Sequence, residues 1–355
     1  MKILHSADWH LDAPLTGHSE QTRQALQREL RKIPEKVARL CKSEGCDLMI
    51  LAGDLFDGPC TQQSLMAVRS ALESVKIPVI ITPGNHDFCG PESPYLREEW
   101  PENVHIFKKA ALESLVLEAL DCHVYGAGYE SMDCKGLLKD FHTEGTQRWH
   151  IGVLHGEISA ASHYCPITKE QLKQSGLDYL ALGHIHKGGS LRAENTLCAW
   201  PGCPMGHGYD ETGIKGVIIV ELDDAVRASF MPLDTPRFYD EAVEAGDDAL
   251  EAVASILPAL ACSDFYRVTL TGYSTGVDPD AIAKQFSHIP NLILRDETLP
   301  AMDLWGCVGE DSLEGVYFGL LKESADSDSE TLSRRSRLAA RISRQILDGQ
   351  EVTLP

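Results

Sequence analysis

The chain is predicted to be an α/β protein, a sheet of buried strands with helices on its faces. Five short apolar runs read as buried strands, and helical patterns separate several of them. "MKILHSAD" opens the chain as the first strand. "RKIPEKVARLCKSEG" follows as a helix that begins near Pro34 and stops at Gly45. "DLMILAGD" is the second strand, "LMAVRSALESV" has helical spacing, and "IPVIITPGNHD" is the third strand. "HIGVLHGE" is the fourth and, after the helical "TKEQLKQSG", "DYLALGHIH" is the fifth.

With 355 residues, 43% of them hydrophobic and 24% charged, the chain has the composition of a globular protein with one large domain and a smaller one. Its 32 Lys and Arg against 53 Asp and Glu leave a net charge of −21. That balance opposes non-specific adhesion to DNA or anionic membrane, which needs many cationic contacts. A polyanion must therefore be held by a local site, by bound cations or by another subunit. The apolar run at the start is too short for a signal peptide, and no run approaches a membrane span. The 11 cysteines are scattered without a CxxC pair, as expected of reduced thiols in a cytoplasmic protein.

The strands end alike. The first stops on Asp8 and His10, the second on Asp54 with Asp57 just beyond, and the third on Asn85 and His86 after a Pro-Gly turn signal. The fourth stops on His155 and the fifth on His184 and His186. Ligands of open α/β sheets bind outside the carboxyl ends of the strands, so this rim is read as a metal site. In an extended chain, the spacing of two in Asp8-x-His10 and His184-x-His186 puts both side chains of each pair on one side. Imidazoles mixed with carboxylates and an amide suit Mn, Fe or Zn better than Mg. The seven donors Asp8, His10, Asp54, Asn85, His155, His184 and His186 exceed one zinc-type site but match two ions sharing a bridging carboxylate. Such a pair, about 3.5–4 Å apart, clamps the attacking and leaving oxygens of an in-line displacement at phosphorus.

In order, D-x-H, G-D-x-x-D, G-N-H-D, H-G and G-H-x-H resemble the motifs of the calcineurin-like metallophosphoesterases. "HSADWHLDAPL", "SPYLREEWPENVHIF", "HGEISAASHYCPI", "WPGCP" and "DETGIKGVIIVELD" are similar to the bacterial SbcD-type DNA repair nucleases, so the resemblance spans most of the chain. It implies a sandwich of two mixed β-sheets flanked by helices, with a smaller α+β domain capping the site and a C-terminal helix. It also implies a two-metal phosphodiesterase, a DNA exo- or endonuclease of DNA repair acting at ends or in single strands. A phosphodiesterase or phosphatase on a small nucleotide, and a non-catalytic scaffold for an SMC-like ATPase, are the alternatives.

Carried over by motif, one ion falls to Asp8, His10, Asp54 and His186. The other falls to Asp54, Asn85, His155 and His184, with Asp54 bridging and manganese the expected metal. His86 faces the scissile phosphate as transition-state stabiliser or general acid, and Asp57 orients it. The implied partners are DNA and an SMC-like ABC ATPase of the SbcC type, with no membrane; a homodimer stays open. Asp12 is a departure, since many SbcD proteins carry Gly there.

His5, inside the first strand with parity opposite to Asp8 and His10, is expected in the core. His18, His105, His123, His142, His150, His207 and His288 have no motif and default to surface or loop. His163 and Tyr164 lie on a loop that either covers the site or is merely a loop. The expected domains are 1–240 (nuclease), 241–320 (α+β cap) and 321–355 (acidic linker and C-terminal amphipathic helix). Two strands in 215–246 close the first domain. Helix, strand, helix and strand follow in "DALEAVASILPAL", "DFYRVTLTGYS", "DPDAIAKQFSHI" and "NLILRDE". Ser327 and Glu330 suit a capping box and Gly349 a stop, so a helix is predicted near 328–348. Leu338, Ala339, Ile342 and Ile346 share one face, opposite Arg334, Arg337, Arg341 and Arg344. The apolar face either packs on the chain's own domain or docks the coiled coil of the ATPase.

Overall fold

All five predicted strands form in the computed structural model, which describes every residue except Asp247 and residues 353–355. The chain divides into two units, Met1–Phe238 and Tyr239–Pro355. The first holds twelve strands: β1 (Lys2–Ser6), β2 (Leu48–Leu51), β3 (Val79–Ile81), β4 (Val104–Ile106), β5 (Glu113–Leu117), β6 (Cys122–Gly126), β7 (Trp149–His155), β8 (Tyr179–Gly183), β9 (Gly189–Ala193), β10 (Thr196–Trp200), β11 (Gly216–Leu222) and β12 (Val226–Pro232). They make two six-stranded sheets, ordered β12-β11-β1-β2-β3-β4 and β5-β6-β7-β8-β10-β9. Both are mixed. β1 to β4 run parallel with β11 antiparallel to β1, and β6, β7, β8 and β10 run parallel between the antiparallel β5 and β9.

Period-two alternation explains how the sheets stack. Ile3, Leu48, Ile50 and Ile80 point from the first sheet into a core shared with Val124, Ile151, Val153 and Ala181 of the second. The alternate residues Leu4, Met49, Leu51 and Ile81 are equally buried on the other face. Helices α1 (Glu20–Leu30), α2 (Ile33–Ser43), α3 (Gln62–Val75) and the short α4 (Pro94–Arg97) lie in the connections between these strands, and α5 (Lys169–Ser175) precedes β8. Leu172 of α5 packs with Leu154, Leu180 and Leu182 on the outer face of the second sheet. α2 has Pro34 in its first turn, and Gly45 beyond it takes φ +63°, as the stop signal required. His5 is fully buried, with Nδ1 2.8 Å from the Tyr179 hydroxyl and Nε2 3.1 Å from the Leu182 carbonyl oxygen. Because β1, β2, β3, β7 and β8 are parallel strands with crossovers outside, their polar carboxyl ends gather at one edge of the sandwich.

The second unit contains β13 (Phe238–Glu244), α6 (Ala249–Ile256), β14 (Phe265–Thr271), β15 (Tyr273–Ser274), α7 (Pro279–Gln285), β16 (Leu292–Asp296), β17 (Leu299–Pro300), α8 (Leu313–Ala325) and α9 (Glu330–Leu347). Residues 215–246 hold three strands and not the expected two, because β13 pairs beside β14 in a small sheet ordered β13-β14-β16. The predicted tail helix is α9, but Ser329 caps it in place of Ser327, accepting from the Leu332 N–H, and Gly349 takes φ +68°. Its buried residues are Ser336, Ala340, Arg341 and Gln345, so the expected division into apolar and arginine faces is corrected. The Arg341 guanidinium lies 3.7 Å over the Tyr273 ring and donates to the Pro300 carbonyl, while Arg344 lies 4.4 Å over Phe318. Aromatic faces and a carbonyl draw Arg341 and Arg344 inward, while Arg334 and Arg337 stay exposed as expected and Ile346 is exposed as well.

Candidate metal centre and active site

Short loops after the strands bring together every residue read as a site residue. Asp8, His10 and His186 have ligand-type atoms within 4.8 Å of one another, and so do Asp54, His155 and His184. His10 and His186 face each other with Nε2 atoms 3.0 Å apart. His155 Nε2 lies 3.1 Å from Asp54 Oδ2 and 3.1 Å from Asn85 Oδ1, which is also 3.2 Å from His184 Nδ1. Asp54 reaches from the second group toward the first, with His10 Nε2 3.7 Å from the same Oδ2.

The extended-chain account of the two spacings is corrected. Asp8, His10, Asp54 and His184 take φ +55°, +44°, +51° and +90°, in the left-handed region that Asp and His tolerate better than most residues. The cause is tethering of one loop to the next: the Asp8 N–H donates to Gly53 O and the His10 N–H to Asp54 O, each at 3.0 Å. The Asp8 side chain also accepts the His184 N–H at 2.9 Å. Two glycines are required by close approach, since a side chain at Gly53 would strike the His155 ring and one at Gly84 the Asp54 carboxylate.

The donor set fits divalent cations. His155 Nδ1 is 2.8 Å from the Ala52 carbonyl oxygen, so that nitrogen carries the proton. Burial lowers His155, but the Asp54 and Asp8 carboxylates raise it to about 9, so the charged ring turns Nε2–H toward Asp54 Oδ2 and Asn85 Oδ1, two oxygens that a cation would equally satisfy. Asp8 Oδ2 is buried with no hydrogen-bond partner. Burial draws His10 down to about 3, and burial with the His155 charge draws His184 down to about 4. Both imidazoles are therefore neutral donors at ordinary pH. Burial, with the Asp54 charge, pushes the Asp8 carboxyl up to about 6 against the pull of His155 and His186.

His86 comes within the same 4.8 Å of His10 and Asp54, so proximity alone does not separate it from the ligand set. Its environment does. Nδ1 lies 2.7 Å from Asp57 Oδ1, which raises the imidazole above its ordinary value, and the residue is exposed. Asp87 completes the polar trio of the third strand end. Its buried carboxylate accepts the N–H groups of Asp54, Leu55, Phe56 and Gly84 and the Tyr95 hydroxyl, joining the two loops that carry Asp54 and His86.

Two residues escaped the sequence reading. Glu211 accepts from His186 Nδ1, and its second oxygen lies 3.2 Å from His207 Nδ1 and accepts the His207 N–H at 2.7 Å. Burial pushes this carboxyl up, but the hydrogen bonds from His186 and His207 hold it well below the usual carboxylate range. His207 lies on a loop, one of the two placements expected of it, but its ring turns inward, edge-on to His10 at 5.6 Å, with Nε2 buried and unpartnered. The one signal was a His and a Glu within the Gly-bounded "GHGYDETG". Tyr164 lies against His184, ring centres 4.5 Å apart, while His163 is exposed. Asp12, at φ +67°, accepts from the Thr61 N–H at 2.7 Å and the Ser64 hydroxyl at 2.8 Å at the start of α3.

Among curated proteins, the chain is 34% identical over 241 residues to the "uncharacterized metallophosphoesterase YhaO" of Bacillus subtilis, an overlap of 62% of this chain and 57% of that protein. The chain therefore spans little more than half the length of that relative. It is 27% identical over 276 residues to the SbcD component of the SbcCD nuclease of B. subtilis, covering 65% of this chain and 68% of that one. To the SbcD component from Staphylococcus epidermidis it is 24% identical over 330 residues, covering 82% and 84%. Among solved structures, a dimetal phosphatase from Danio rerio aligns at a TM-score of 0.44 and 11% identity over 64% of this chain and 98% of that one. The family described as calcineurin-like phosphoesterase matches residues 1–188, more than half of the 355 and the stretch that supplies every donor described above except Glu211 and His207. The chain belongs to that family.

Proposed function

We propose that this protein is a two-metal phosphodiesterase that cuts DNA at ends or in single strands, in DNA repair. The observation that carries the reading is Asp54, one carboxylate that reaches from one donor group toward the other beside the His86–Asp57 pair. Asp8, His10, Asp54 and His186 would hold one divalent ion, and Asp54, Asn85, His155 and His184 the other. Manganese is the expected metal from the mixture of nitrogen and oxygen donors. Such ions supply charge neutralisation and Lewis acidity at the phosphoryl group. The protein's own chemistry falls to His86. Asp57 holds its Nδ1 and favours the charged ring, so Nε2–H is presented to the phosphoryl oxygen and donates its proton to the leaving oxygen. Asp87 keeps the loops of Asp54 and His86 in register while this happens.

DNA as substrate is supported by the similarity to two SbcD components of SbcCD nucleases, which extends beyond the family match to 82% of the chain. Those relatives are by name parts of a larger nuclease, and the chain's net charge of −21 argues for a partner that supplies cationic surface. An SMC-like ATPase is the proposed partner. Leu313, Val316 and Leu320 stand exposed along one side of α8, an apolar stripe suited to a coiled coil. None of the 11 cysteines is in a disulfide, and among the described residues no helix is long and apolar enough to cross a membrane; both accord with a cytoplasmic place of work. The acidic charge equally favours a second reading, a small-nucleotide phosphoesterase. The deciding experiment offers single-stranded DNA, duplex DNA, a cyclic nucleotide and a generic diester to the manganese-loaded protein. Cutting of single strands or ends supports the nuclease reading. Turnover of the cyclic nucleotide alone supports the second. Full metal occupancy without any turnover rejects both in favour of a scaffold.

A further inference from the structure

Beside His186, outside the metal-ligating cluster, a cavity of about 430 Å³ opens in the first unit. His186 forms one wall, and Lys187, Trp200, Ile214, Lys215 and Phe230 line the rest. Its volume is in the range of small-molecule sites, about 300–1,000 Å³, and an apolar lining with a few polar groups is their usual chemistry. Beside the hydroxyls of Ser190 and Thr212, the lining carries two cationic groups, Lys187 and Lys215, in a chain whose net charge is −21. Phe230 is 49% exposed on the edge strand β12 and Ile214 is 55% exposed, so neither is explained as core. The Trp200 ring lies on Gly189, where an added Cβ would be 2.8 Å from the indole, and the end of the Phe230 ring lies over Gly216. Both rings thus rest on backbone without side chains, which keeps the space beside them open.

The cavity is also tied to the metal centre. Lys187 follows His186 directly, and the loop that brings Glu211 to the His186 ring continues into Ile214 and Lys215. One short excursion therefore orients a donor of the metal centre and builds the cavity wall. We propose that this cavity is a base-binding subsite. It takes the base of the nucleotide flanking the phosphodiester at the metal centre, by stacking on the aromatic walls, while Lys187 and Lys215 neutralise the adjoining phosphates. The proposal rests on the phosphodiesterase reading above and narrows it. Stacking accepts any base, because every base has a π-face. Entry requires a base free of its complement. The subsite is thus tolerant of sequence and selective for single strands.

Binding is measured by fluorescence anisotropy of a labelled oligothymidylate on the full chain in EDTA, so that turnover plays no part. Phe230→Ala should weaken binding roughly five- to hundred-fold, the range alanine substitution gives for one stacked base. Lys187→Ala with Lys215→Ala should weaken it and flatten its salt dependence. An abasic oligonucleotide should bind the wild type about as weakly as the normal one binds Phe230→Ala. Two-ion content, measured separately, should stay unchanged in the variants. Unchanged affinity in Phe230→Ala, equal affinity for the abasic strand, or competition by inorganic phosphate as strong as by thymidine monophosphate would overturn the subsite. Base-dependent binding together with no hydrolysis of any diester would support the subsite and count against the catalytic reading instead.

Discussion

The two halves of the proposed metal centre use histidine in the same way but hold it differently. His155 is 1% exposed at the end of β7, and its Nδ1 is held by a main-chain carbonyl, that of Ala52. His186 is partly exposed on a loop, and its Nδ1 is held by the carboxylate of Glu211, which also holds His207. A main-chain brace comes with the strand pairing and is indifferent to side-chain substitution. A carboxylate brace can be removed by one substitution, adds negative charge next to the cation, and opens on the side where the cavity lies. The enclosed half is thus built by the fold, and the open half by a loop that can vary without disturbing the sheets.

The largest expected effect comes from removing what the halves share. Asp54→Ala should lose both ions, since its carboxylate serves each group; elemental analysis showing one ion retained would break the comparison at its base. His86→Ala should keep both ions and lower turnover by about 10²–10⁴-fold, the usual contribution of general acid catalysis. Loss of metal in that variant would place His86 among the ligands, where its nearness to His10 and Asp54 also allows it.

Glu211→Gln sharpens the contrast most directly. Loss of an outer carboxylate commonly costs about 10–100-fold in metal affinity, and here the loss should fall on one ion of two. Metal titration should change from two similar steps to one tight and one weak step. Weakening of both steps alike would mean that the halves are not independent.

Asp57→Asn should act on pH dependence more than on the maximal rate. Asp57 raises His86, and the charged ring is the form that donates a proton. Activity should therefore be full below the raised value and fall as pH climbs through it. Without the Asp57 charge, that alkaline limb should move to lower pH, as a rate profile against a generic diester would report. The smallest effect is expected from Asp12→Ala, whose carboxylate is outside the donor set. It removes the acceptor of Thr61 and Ser64 at the start of α3 and leaves a Cβ at φ +67°. A cost of about 1 kcal/mol should lower the melting temperature by a few degrees, with metal content untouched.

Much of the first unit was legible because it rests on local signals. Strands such as β2 and β8 show as unbroken apolar runs, though the buried β6 and β10 did not, and α5 carries its own cap and stop. Strands β5 and β9 were not visible, since on a sheet edge their burial alternates and their sequences, "ESLVL" and "GSLRA", carry no run. α1 was missed for the same reason, being mostly polar with only Leu26 and Leu30 buried. The α9 face was misread because a hydropathy wheel assigns arginine to solvent, whereas Tyr273 and Phe318 take Arg341 and Arg344 inward.

By itself the sequence determined the donors: which strands end on Asp, His and Asn, in which order, and therefore which family the chain resembles. That information is local, since a strand and the residues just beyond it are contiguous in the chain. Only the tertiary structure decided which donors face one another, and that they do so through left-handed loops tied to their neighbours instead of through extended pairs. It alone could bring Glu211 and His207 to His186 and His10, and Phe230 to a cavity beside them. These contacts join residues whose separation in sequence leaves no periodic signal, and they exist only once two sheets have packed and their loops have closed over one edge.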